Sequence, residues 1–217
     1  MKKNPLNLVT QELWSFDCWL CCTQMISEQL FDCDTETIKK SLHVYKNIGT
    51  FLPQIGCFFL NKQCNVELVG LNPHLFTVHD IWCSQSHCKD RIEDVYQKLL
   101  KRYIGIKRFP KFMQAWWIIK PILITNDVIE SALDLWMYII TNLTDCRLYN
   151  KWNPNYNFHF VCISWYDKEY FFVHDPLSLE RLIQPYHPIK KEKLLYAIHA
   201  AAYWDVDNAC CLFISKK

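Results

Sequence analysis

Residues 157–176 read NFHFVCISWYDKEYFFVHDP. Two runs rich in aromatic and β-branched residues, FHFVCISWY and EYFFVHD, flank a polar turn at Asp167 and Lys168, and so are expected to pair as an antiparallel hairpin. The end of one arm then lies beside the start of the other, which brings His159 towards Asp175. Side chains alternate between faces along a strand, so the turn decides whether the two share a face. A turn of Tyr166, Asp167 and Lys168 sets residue 165 against 169 and His159 directly against Asp175. A turn one residue shorter sets His159 against Pro176 and sends Asp175 to the other face. An odd-length turn or a bulge is therefore required for the pair to meet.

A candidate partner for the imidazole lies 141 positions upstream, in QELWSFDCWLCCTQM (residues 11–25). Leu20, Cys22, Met25, Ile26, Gln29 and Leu30 recur at helical spacing, with Ser15 and Asp17 as candidate caps, so Cys18 opens a helix. The thiolate is the reactive form of cysteine, and the positive end of a helix favours an anion. The separation from His159 falls within the roughly 130 to 150 residues seen between nucleophile and base in papain-like enzymes. In this reading Cys18 is the nucleophile, His159 its base and Asp175 the group that orients the imidazole. An oxyanion formed on acyl transfer needs donors, for which the side-chain amide of Gln11 and the backbone N–H of Cys18 are candidates.

Around these stretches the pattern predicts helices over residues 34–45 and 52–62, a short strand VELVG, and an irregular segment over 72–89. A further helix follows in DRIEDVYQKLLKRYIG, ended by Gly105. ILITNDVIESALDLW reads as a strand, a cap at Asn126 or Asp127, then a helix. MYIITNL and CLFISK read as strands, with one more helix over 192–203. Helices first and strands later predict an α+β fold in one domain, residues 1–217, with a helical lobe over 1–120 and a sheet-rich lobe over 121–217.

Composition narrows the function classes. About half of the residues are apolar (51%), enough for a sizeable core, and the net charge is only +2 with Lys and Arg scattered. Nucleic acid is not the expected partner. Four glycines leave no phosphate-cradling loop, which argues against P-loop and dinucleotide-binding proteins. Lys120 and Pro121 interrupt the longest apolar run, AWWIIKPILI, well short of the ~20 residues that span a bilayer. No apolar stretch of signal-peptide length follows the basic start, and several of the twelve cysteines sit inside apolar runs. A reduced, cytoplasmic protein without a cofactor or metal is expected.

QELWSFDCWLCCTQM followed by NFHFVCISWYDKEYFFVHDP resembles the peptidase C39-like branch of the papain-like superfamily, in which a glutamine precedes an Asp-Cys pair and a later histidine strand leads to an Asp-Pro or Asn-Pro turn. Within that branch the chain is most similar to the family named after guanylyl-cyclase-domain-containing protein 1 and its plant relatives. The likeness extends through GCFFLNKQCNVELVGLNPHLF, DRIEDVYQKLL and ITNDVIESALDLWMYIITNL. It implies a papain-like fold and the same assignment of Cys18, His159, Asp175 and Gln11, with a peptide or protein amide as substrate.

Other readings stay open at the level of sequence. The family's name implies a guanylate cyclase, although no carboxylate pair or phosphate loop for that chemistry is evident. A silent papain-like fold used for binding is implied if Trp19 and Phe158 fill the cleft. Cys18 and Cys21 form a C-x-x-C at a helix start, the arrangement of thioredoxin-like redox proteins, but without the expected βαβ context. His79, Cys83, His87 and Cys88 have zinc-compatible spacings that no second motif completes. Trp116, Trp117, Trp136 and Trp152 are expected in the core and cleft wall.

Overall fold

The computed structural model describes residues 4–12, 15, 17–42, 50–71, 119–144, 158–177, 184–201 and 209–217. Helices α1 (Cys18–Leu30), α2 (Thr35–Ser41) and α3 (Leu52–Asn61) lead to strands β1 (Asn65–Gly70) and β2 (Ile119–Lys120). Helix α4 (Asn126–Asp134) precedes strands β3 (Tyr138–Thr144), β4 (Phe158–Tyr166), β5 (Tyr170–His174) and β6 (His187–Lys190). Helix α5 (Lys191–Ala200) and strand β7 (Cys210–Ser215) follow. The strands form one sheet in the order β2-β1-β7-β3-β4-β5-β6, antiparallel throughout except for the β1–β2 pair. The class is α+β.

Alternation along the strands divides the core between the two faces of the sheet. Ile140, Phe160, Cys162, Leu212 and Ile214 pack with Trp19, Met25 and Ile26 of α1 and with Ile55 and Phe59 of α3. Ile139, Leu143, Val161, Ile163 and Phe213 pack on the other face with Ile129 and Leu133 of α4 and Leu194 and Ile198 of α5. α1 is buried along most of its length, and its interior hydroxyls are satisfied locally. Thr23 Oγ1 donates to the Trp19 carbonyl and Ser27 Oγ to the Thr23 carbonyl, each at 2.7 Å.

Local chemistry sets the element ends. Asp34 caps α2, accepting from the Thr37 amide at 2.7 Å. Gln54 accepts from the Phe51 amide at the start of α3, where Pro53 stands in the first turn and needs no donor. The cap of α4 is Thr125, whose hydroxyl accepts from Val128 N, rather than Asn126 or Asp127. ILIT is correspondingly not a strand, because its last residue turns the chain into the helix; the preceding pair Ile119 and Lys120 joins the sheet. At the far end of β1, a Cβ on Gly70 would lie 2.4 Å from Cys210 Sγ and 2.7 Å from the Ala209 carbonyl oxygen, so this position beside the start of β7 requires glycine. The expected helix of residues 90–105 and the irregular segment of 72–89 lie outside the described residues. Strand β6 was not foreseen.

Candidate active site

The β4–β5 hairpin decides where His159 and Asp175 fall. Its turn is closed by the Asp167 amide donating to the Tyr170 carbonyl at 2.9 Å, while Asp167 Oδ1 accepts the amides of Glu169 and Tyr170. Pairing starts as Tyr166↔Phe171 and Trp165↔Phe172, not as 165 with 169. Continued unchanged, that register turns Asp175 away from His159. A bulge at Ser164 intervenes, and the register resumes as Ile163↔Val173 and Cys162↔His174. One residue further on, Asp175 is level with Val161, on the face His159 also uses. The two meet diagonally rather than directly opposite, and the parity condition is met by the bulge.

Ser164 is held at both ends. Its hydroxyl donates to the Phe172 carbonyl at 3.1 Å and its own carbonyl accepts from the Asn4 amide at 3.2 Å. Sequence reasoning did not single it out; a lone hydroxyl in an otherwise apolar strand was its only trace.

His159 Nε2 lies 2.5 Å from Asp175 Oδ1, with both side chains buried, and the Leu177 amide donates to the same oxygen at 2.8 Å. Cys18 is close enough to the ring to contribute, after Asp175, to raising its pKa. Burial by itself disfavours the imidazolium. The Asp175 carboxylate and the Cys18 sulfur outweigh it, and the pKa of His159 stands well above the ordinary histidine value.

Cys18 is the first residue of α1 and is half-buried. Asp17 is the N-cap residue, but its side chain takes no amide of the first turn; its carbonyl accepts from Cys21 N at 3.0 Å. Trp19 points into the core with 2% exposure, and its indole N–H is buried without a partner. Phe158 is 36% exposed and, as the neighbour of His159 in a strand, projects to the opposite face.

Gln11 reaches the same corner by a different route. Its amide N–H donates to the Pro176 carbonyl at 2.9 Å, which fixes the residue beside the Asp175 turn. Nε2 donates to the Ser15 carbonyl at 3.3 Å, while Oε1 is buried without a partner. Ser15 N in turn donates to the Glu12 carbonyl at 3.1 Å. One of the two amide hydrogens of Gln11 is engaged by Ser15, which leaves the second for another acceptor.

Among the described residues, no group of three His, Cys, Asp or Glu is placed to hold a metal ion, and no helix is long and apolar enough to cross a membrane. The spaced His79, Cys83, His87 and Cys88, with Trp116, Trp117 and Trp152, lie outside those residues. Trp136 is about half exposed, at the end of α4 with φ 60°, and does not enter the core.

No family model matches the chain. No curated protein matches it. A search of solved structures finds a crystal structure from Bacillus anthracis assigned as a C39-like peptidase, at 15% identity and a TM-score of 0.30, over 43% of this chain and 48% of that one. The match thus spans about half the length of that protein, and a likeness of this size carries no argument about activity.

Proposed function

We propose that the chain is a cysteine-dependent hydrolase or acyltransferase of papain-like fold that acts on peptide or other amide bonds. The observation that carries this reading is the buried His159–Asp175 pair, whose imidazole also senses Cys18 at the start of α1. Asp175 fixes the ring through Nε2, so that Nδ1 takes the Cys18 proton. The sulfur attacks the carbonyl carbon, and the oxyanion is met by the Cys18 backbone N–H and the second amide hydrogen of Gln11. His159 returns the proton to the leaving amine. Water, or an acceptor amine or hydroxyl, then cleaves the thioester with His159 as base. The burial of Trp19 in the core favours this reading over that of a silent binding protein.

A panel of peptide aminomethylcoumarins tests it. The wild type is expected to release the fluorophore from some member, and Cys18→Ser and His159→Ala to lose roughly a thousandfold or more. Release at an undiminished rate by Cys18→Ser contradicts the proposal. Formation of cyclic GMP from GTP and magnesium, unchanged in Cys18→Ser, would instead favour the cyclase reading.

A further inference from the structure

The first turns of α1 carry more sulfur than an amide hydrolase uses. Cys18, Cys21 and Cys22 lie on this segment and Cys162 on β4 beside it, all as free thiols. Cys18 is half-buried, and the other three are buried. Cys22 and Cys162 are engaged with each other, since Cys162 Sγ donates to the Cys22 carbonyl at 3.7 Å and the two side chains also interact. Cys21 stands three residues after Cys18 on the same helix and close enough to sense its charge. Three residues apart on an α-helix, their Cα atoms are separated by about 5 Å, inside the window of roughly 4.4–6.8 Å that a disulfide needs. That Cα separation is compatible with the bond, which a small adjustment of the first helical turn would close.

We infer that Cys18 and Cys21 form a resolving pair for hydrogen peroxide, which converts the Cys18 thiol reversibly into a Cys18–Cys21 disulfide. The Cys18 thiolate attacks one oxygen of the peroxide and the O–O bond breaks. Cys18 becomes a sulfenic acid, and the departing hydroxide takes a proton from the His159 imidazolium to leave as water. The Cys21 thiol then attacks the oxidised sulfur. The S–O bond breaks, and the Cys21 proton leaves with the hydroxyl as a second water. Two thiols and one peroxide give one disulfide and two waters.

The surroundings of Cys21 order these events. Burial first, then the negative charges of Cys18 and Asp17, hold its thiol up to about 12, so it does not compete for peroxide. Oxidation of Cys18 to a neutral sulfenic acid removes one of those charges at the moment Cys21 is needed. Loss of turnover on closure rests on the hydrolase reading; closure itself does not.

Treatment of the wild type with a few equivalents of hydrogen peroxide, followed by mass spectrometry of the tryptic peptide 4–39, reads the bond directly. The peptide is expected to become about 2 Da lighter. Fragments from cleavage between residues 18 and 21 should be missing, and dithiothreitol should restore the original mass. Cys21→Ala and Cys21→Ser should carry Cys18 on to sulfinic and sulfonic acid, whereas Cys22→Ala should behave as the wild type. A bond to Cys22, or over-oxidation of Cys18 at the same rate in wild type and Cys21→Ala, overturns the inference. A disulfide in a protein that cleaves no amide would remove only the hydrolase reading. Peroxide inactivation of a working hydrolase without the disulfide would remove only this one.

Discussion

His159 has burial pulling its proton balance one way and the Asp175 carboxylate, with the Cys18 sulfur, pulling it the other, and the partners win. In the hydrolase reading the imidazolium therefore persists well above pH 6.5, and turnover is lost only as pH rises through the raised value. Asp175→Asn is expected to cut kcat/KM by about a hundredfold or more and to move that alkaline limb to lower pH, as measured by a pH–rate profile. His174, one residue before Asp175, behaves in the opposite sense. Its ring is fully buried against Tyr186, neither nitrogen makes a hydrogen bond of ordinary geometry, and burial brings its pKa down to about 4, with only the Leu6 backbone opposing. Above pH 6.5 the ring is neutral in folded and unfolded chains alike. Between about 6.5 and 4 the unfolded chain takes up a proton that the folded one resists, so stability falls with pH, by about 3 kcal/mol in all. Urea denaturation across this range should show the fall, and His174→Leu should flatten it. At this scale the approach of His159 to Asp175 was legible, because each stands at the end of a hairpin arm whose apolar pattern is strong. The hydrogen bonds of Gln11 were not, because they follow the path of a loop that no periodicity describes.

At the scale of elements, the bulge at Ser164 converts a turn of the wrong parity into a hairpin that joins His159 to Asp175. The sequence pattern showed that such a device was required without showing where, since a bulge leaves the apolar alternation on both sides intact. Strand β6 escaped for a related reason. It is a four-residue edge strand containing Pro188, and the residue pattern of HPIK is indistinguishable from a loop. Two substitutions check the account of the element ends. Asp34→Ala removes the cap of α2 and is expected to cost about 1 kcal/mol by urea denaturation. Gly70→Ala drives a methyl group into Cys210 and the Ala209 carbonyl where the end of β1 pairs with the start of β7, and is expected to cost about 2 kcal/mol or more.

On the scale of the whole molecule, the sheet has two buried faces, and neighbouring residues of β3 belong to different cores. Ile139 faces α4 and α5, while Ile140 faces α1 and α3; both are fully buried. Ile139→Ala and Ile140→Ala are each expected to lose about 2–5 kcal/mol, one face being as necessary as the other. Helices first and strands later was a sound reading of the α+β class. It did not convey that β1, from the first half of the chain, is inserted between β2 and β7, because strand order is set by long-range pairing that local pattern does not encode.

The central claim is that His159 activates Cys18 above the other thiols of the chain. Treatment with a peptide vinyl sulfone, followed by mapping of the adducts, tests it most directly. The account predicts modification at Cys18 in the wild type and its loss in His159→Ala, with half-buried Cys57 unlabelled in both. Equal labelling of Cys18 and Cys57, unchanged by His159→Ala, would contradict it.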